Sequence, residues 1–170
     1  MSVVRYLPGE EWLCVVRSGV VVMVPATTAA DVLDRLWSRL GETPNLQAIL
    51  PIVAGGFGQG LDSMPPFGVV SYTDRLHVLL RGEVRLSVAN DDGAAPLELS
   101  GEYVTTWTER MLDGGARHFS MSAGAPAGLP GADLEGSALP LEAGVVRSAS
   151  VSVGLSGSGG APTVTAEPAP

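Results

Sequence analysis

The sequence predicts an α+β fold: mainly antiparallel β-sheet, sandwich or barrel-like, with two helices after the first hairpin. Three observations carry this. Short β-branched or alternating apolar runs, bounded by Gly, Pro and Asp, recur along most of the chain. Period-two alternation is clearest over residues 72–88. Apolar residues at helical spacing are confined to the region between Thr28 and Val53.

In order along the chain, residues 12–17 and 20–24 flank Ser18-Gly19 and read as the first hairpin, with Pro25 ending its second strand. Thr28-Ala-Ala-Asp31 resembles a capping box. Ala29, Leu33, Leu36, Trp37 and Leu40 follow at helical spacing, so residues 31–40 form an amphipathic helix with Gly41 as its C-cap and Trp37 in the core. Thr43-Pro44 opens a second, shorter helix with Leu46, Ile49, Leu50 and Val53 as its apolar stripe, which Pro51 should kink or end. The glycine cluster at 55–60 lacks the Gly-Lys-Ser/Thr ending of a phosphate loop, and reads as a helix-to-strand connection long enough, out to Pro66, to hold a binding loop. Residues 67–72 form a strand.

The stretch L-H-V-L-L-R-G-E-V-R-L-S-V (76–88) predicts a hairpin. A three-residue loop, 81–83, pairs Leu80 with Val84, Val78 with Leu86 and Leu76 with Val88, and Gly82 supplies the positive φ. Asn90-Asp-Asp-Gly93 is a turn without the ligand spacing of a calcium loop. Residues 96–99 give a short strand. Residues 103–112 and 116–121 predict a further hairpin over Asp113-Gly-Gly115, pairing Trp107 with Met121 and Glu109 with Phe119. Its opposite face then carries Thr106, Thr108 and Arg110 beside Ser120 and His118, a candidate recognition surface on an otherwise solvated sheet. Residues 122–137 read as a surface loop, and residues 139–155 supply the last one or two strands. Residues 1–155 therefore form one globular domain, and the Gly/Ser/Pro-rich 156–170 a flexible linker or tail. Thr163 and Thr165 are possible phosphoacceptors there.

A net charge of −8 with few cations disfavours nucleic acid and anionic membranes. The apolar run 13–24, interrupted by Arg17, Ser18 and Gly19, is too short to cross a bilayer as a helix, and the N-terminus lacks a signal-peptide core. These features predict a cytoplasmic protein without membrane insertion. The one cysteine, Cys14, lies in an apolar run and reads as a buried structural thiol.

No catalytic constellation is legible. The two histidines, His77 and His118, have no second ligand at metal-binding spacing, and no G-x-S-x-G elbow occurs. No catalytic residue, metal or cofactor is therefore predicted. The binding residues suggested by patterning are Thr106, Thr108, Arg110 and His118.

The segments V-L-L-R-G-E-V-R-L-S-V (78–88) and V-T-T-W-T-E-R (104–110) resemble the N-terminal region of actinobacterial proteins that end in a forkhead-associated (FHA) phosphothreonine-binding domain. The resemblance covers most of residues 1–155. It does not extend to the FHA domain, whose Gly-Arg and Ser-x-x-His pattern is absent, so no phosphopeptide-reading residue is implied here. The resemblance implies a place in phospho-dependent signalling, with the tail as a tether to a further module. The function expected is thus a non-catalytic protein-interaction or scaffolding module with a protein partner. The alternative is a small cupin-like barrel that binds a ligand or acts as an enzyme, with its site between the 55–66 loop and the sheet; no small molecule is specified by the residues.

Overall fold

The computed structural model describes residues 2–42, 45–53, 64–73, 75–90, 95–112, 116–123 and 139–155. The expectations placed on Thr43-Pro44, the 55–60 glycine cluster, the turns at 91–93 and 113–115, residues 124–137 and the tail lie outside the described residues. Among the described residues, nine strands and two helices follow in the order β1 (Ser2–Arg17), β2 (Val20–Pro25), α1 (Ala30–Glu42), α2 (Leu46–Val53), β3 (Phe67–Ser71), β4 (Leu76–Asn90), β5 (Leu97–Gly101), β6 (Thr108–Leu112), β7 (Ala116–Ala123), β8 (Leu139–Leu141) and β9 (Gly144–Leu155). The fold class is the one predicted: antiparallel sheet, with both helices after the first hairpin.

The strands pair as β2–β3–β4–β7–β9–β1, and β1 returns to β2, so the sheet closes into an uneven ring. β8 is added on β1, while β5 and β6 are added on β4. The β1–β2 hairpin closes through Ser18 (φ 54°) and Gly19 (φ 78°), with Arg17 opposite Val20. Two consecutive positive φ values are the signature of a type I′ turn, whose twist suits two-residue hairpins.

Alternation places Cys14, Val16, Met23, Leu80, Phe119 and Met121 inside the ring, all almost fully buried. The opposite face of β1, β2 and β3 lies against the helices, where Val15, Val22, Phe67, Leu36, Leu40 and Ile49 form a second core. In α1, Leu36 and Leu40 are four apart, and Val32, Leu33 and Trp37 pack around them. The Thr28 hydroxyl donates to the Pro25 carbonyl at 2.6 Å rather than capping Asp31, so it closes the turn before the helix instead of forming a capping box.

Gly41 is inside α1 and not beyond its end, a correction to the C-cap reading. A Cβ at Gly41 would stand 2.7 Å from the Arg17 guanidinium carbon. That guanidinium lies over the Trp37 ring at 4.4 Å and donates to the Trp37 carbonyl at 2.8 Å, so the glycine gives it room. Trp37 is accordingly only partly buried. In α2, Asn45 Oδ1 accepts from the Ala48 amide at 2.8 Å and caps the helix. Pro51 does not end α2, which continues to Val53.

Residues 76–88 are not a hairpin; they belong to the single strand β4. Positions 76, 78, 80, 82, 84, 86 and 88 continue one period-two series, so a straight-through strand and a three-residue loop put the same side chains inward. Partner strands decide between them. Residues 77–80 are paired with both β3 and β6, and residues 85–88 with both β5 and β7. A strand has two edges, and none is left for pairing with itself. Gly82 has the expected positive φ, 74°, but uses it for an irregularity within β4, where the register with β5 shifts between Gly82 and Arg85.

The second predicted hairpin is also corrected. β6 pairs with β4, Thr108 opposite Leu80 and Leu112 opposite Leu76, while β7 lies between β4 and β9. Trp107 therefore does not face Met121, and Phe119 lies across from Val88 and Val153 instead of Glu109.

Candidate functional site

The four candidate binding residues do not form one surface. Thr106 precedes β6, and its carbonyl accepts from Arg81. The Thr108 hydroxyl donates to the Ser100 carbonyl at 2.8 Å, tying β6 to the end of β5. Arg110 is exposed and lies opposite Val78. His118 is on β7, across from Ala89 and Gly154, on the outer face of a different part of the sheet. Burial lowers the pKa of His118 by penalising the charged imidazolium.

Other groups with chemical potential are held in structural roles. Cys14 is fully buried, and desolvation of the thiolate pushes its pKa up to about 12, which removes it as a nucleophile near neutral pH. His77 Nε2 and Glu109 Oε1 meet at 2.9 Å across β4 and β6. Among the described residues, no group of three or more His, Cys, Asp or Glu converges in metal-binding fashion.

The site with most recognition character lies where β4 turns through Gly82. Arg81 is its anchor. Its Nε donates to the Met64 carbonyl at 3.3 Å and its Nη1 to the Thr105 carbonyl at 2.7 Å, with the Thr106 carbonyl as a further acceptor. One guanidinium thus pins the segment before β3 to the segment before β6, using the fan of donors only arginine has. Trp107 completes the attachment by packing on Phe67, ring centroids 6.4 Å apart.

This anchoring explains why the predicted strand 103–112 begins only at Thr108. Tyr103 has a φ of 64°, in the left-handed region, which regular extended backbone does not adopt. The path is tight as well: a Cβ on Gly101 would come within 2.5 Å of the Arg81 backbone, so only glycine lets β5 leave β4 here.

The result is an open groove of about 440 Å³. Pro66 and Gly82 line one part of it, and Tyr103 and Val104 another. Tyr103 is 100% exposed and Val104 is 42% exposed. Two carboxylates stand at the rim, Glu83 and Glu102. A single Glu102 oxygen, Oε2, accepts from both Arg85 Nη2 at 2.7 Å and Nε at 3.1 Å. Glu83 is exposed and has no ion pair among the described residues.

Patterning named Thr106 close to this site but missed Arg81, Tyr103 and Val104. Tyr103 and Val104 looked like strand residues, and Arg81 like a turn residue. The one available signal was the glycine pair Gly82 and Gly101, which only the β4–β5 pairing brings together. Comparisons with protein-family models, curated proteins and solved structures return no match for this chain. Among the described residues no helix is long and apolar enough to cross a membrane.

Proposed function

We propose that this chain is a non-catalytic protein-interaction or scaffolding module, and that the Tyr103–Val104 tip beside the β4 groove is its recognition element. The observation that carries the reading is Tyr103 itself. A bulky residue in the left-handed region costs on the order of 1–2 kcal/mol, and such strain persists only where the surroundings hold it. Here the cost is not offset by any burial of the ring. An aromatic ring presented to water beside a groove has the properties of an interface anchor, because it contributes large contact area with few rotatable bonds to freeze. The resemblance to the N-terminal regions of FHA-domain proteins would place such a module in the cytoplasm, within phospho-dependent bacterial signalling.

The barrel-like ligand-binding alternative rested on the 55–66 loop, most of which lies outside the described residues. The ring interior is filled by Trp12, Met23, Leu80, Phe119 and Met121, so the lumen is core.

The test is affinity capture from a bacterial lysate with quantitative mass spectrometry, using the whole chain and its Tyr103→Ala variant as paired baits. A partner retained in stoichiometric amount by the first and lost with the second supports the reading. Identical retention by both baits removes the tip from the function.

A further inference from the structure

We infer that the free edge of β5 pairs with the β5 edge of a second copy of this chain, antiparallel and centred on Leu99, so that two rings join through one continuous sheet. The inference goes beyond the recognition role proposed for the Tyr103 tip and does not rest on it.

Among the described residues, β5, β6 and β8 each pair along one edge only, β5 and β6 with β4 and β8 with β1. An open edge offers its amides and carbonyls to another strand. A two-fold axis normal to the sheet keeps every side chain on its own face, so it must pass through a residue and not between two. That condition separates the three edges. β8 has three residues with Pro140 at the centre, and proline has no amide to donate. β6 is defended by charge. An axis through Arg110 sets two guanidinium groups opposite each other, one through Glu109 sets two carboxylates opposite, and one through Met111 sets Arg110 against Leu112.

β5 is self-complementary. With the axis at Leu99, Leu99 meets Leu99, Leu97 meets Gly101 and Glu98 meets Ser100. Leu97 and Leu99 are on the face that packs into the ring core, and Glu98 is exposed on the other. Apolar residues therefore meet apolar ones, and each carboxylate meets a hydroxyl. Charge favours the same register. Ser100 lies opposite Arg85 within one copy, and Glu98 opposite Ser87, whose hydroxyl donates to its carboxylate at 2.8 Å. Across the seam, Arg85 and Glu98 of the second copy then flank Ser100 in one row, two strand spacings or about 9.5 Å apart, and symmetry repeats the row. Side chains of this length can close that gap, with Arg85 keeping Glu102 on its other side. The Thr108 hydroxyl that donates to the Ser100 carbonyl leaves that oxygen a second lone pair. Ala95, Pro96 and Glu98 are exposed along the approach to this edge. An edge of five residues is a small interface, so the dimer is weak and depends on concentration.

The experiment is sedimentation equilibrium of the full chain from low micromolar to near-millimolar concentration. The expected result is an average mass that climbs from that of one chain toward that of two. Glu98→Arg, at an exposed position, puts a cation in the row of Arg85 and should raise the dissociation constant about fivefold or more. The register is read by mixing Glu98→Cys with Ser100→Cys under a mild oxidant. Directly opposed residues stand about 4.5–5.5 Å apart, inside the range a disulfide spans, so the mixture should yield a mixed disulfide dimer and each variant alone severalfold less. Cys14 is fully buried and does not compete. A single-chain mass at every concentration would leave the edge to some other strand and overturns the inference. So does undiminished association of Glu98→Arg, a dimer that gives no mixed disulfide, or crosslinking as strong with either variant alone.

Discussion

The two halves of the ring solve the same problem differently. In β2 and β3 every residue from Val20 to Val24 and from Phe67 to Ser71 is buried, because one face looks into the ring and the other is covered by α1 and α2. In β7 and β9 the large apolar side chains are confined to one face, and the other carries small polar residues, of which Ser148 and Ser150 are themselves buried. Phe119, Met121, Val151 and Val153 point inward, while Ser120 stands across from Ser87 and Ser152, and Ser122 across from Ser150, on the outer face. The covered half is built mainly from Val, with Met, Phe, Gly68 and Ser71, and shows no apolar–polar alternation; the other half alternates apolar with serine. Sheet faces that meet helices need continuous apolar runs, and faces that meet water need a polar residue at every second position. Between the halves, β4 belongs to both, and the candidate groove lies where it passes from one to the other.

The largest expected effect tests the covered half. Ile49→Ala removes a fully buried side chain from the helix–sheet core and should cost about 2–5 kcal/mol in chemical denaturation. A cost near zero would mean that α2 does not pack on β3 in solution. At the junction, Gly101→Ala drives a methyl against the Arg81 backbone. It should lose about 1–3 kcal/mol, as overpacked positions do, and impair binding at the tip more than Ile49→Ala does.

Arg17→Met probes how the hairpin is fastened to α1. The variant keeps an apolar stem but loses the cation over Trp37 and the bond to its carbonyl, for an expected loss of about 1–2 kcal/mol. Stability unchanged from the parent would show the contact to be incidental.

The smaller effects belong to the bare half. Burial lowers the pKa of His118 below its ordinary 6.5 in the folded chain. Below pH about 6.5 the unfolded chain therefore binds a proton that the folded one resists. The stability associated with neutral His118 is fully present above that pH and is lost as pH falls through it toward the folded value. His118→Gln should flatten the acid side of a stability-versus-pH profile; an unchanged slope would assign the loss to other groups. Ser152→Thr on the outer face should alter stability by no more than about 0.5 kcal/mol. A cost comparable to that of Ile49→Ala would show this face to be as tightly packed as the helix-covered one, and the comparison of the halves would collapse.

Much of this was legible in the residues. The hairpin turn at Ser18-Gly19, the apolar spacing in α1, the buried stripe of α2 and the outlines of β3, β5 and β9 follow from local chemistry. So does the positive φ of Gly82. The two long-range pairings were misread for a specific reason. Alternation across residues 76–88 has the same parity whether the chain folds back or runs straight on, and alternation across residues 103–112 says nothing about which strand is alongside. Thr108 and Arg110 do share a face of β6, as their spacing requires, but His118 lies on a strand paired elsewhere.

The amino-acid sequence alone was sufficient for the fold class, the two helices, the burial of Cys14 and the inward set of side chains over residues 76–88, because each depends on periodicity or on neighbours within a few positions. The closure of the ring, the continuity of β4 and the Tyr103 groove arise only when distant segments meet. Arg81 reaches Met64 on one side and Thr105 and Thr106 on the other, and Gly101 must pass within contact of the Arg81 backbone. A side-chain period records which way a residue faces, and it carries no information about which partner occupies the strand edge.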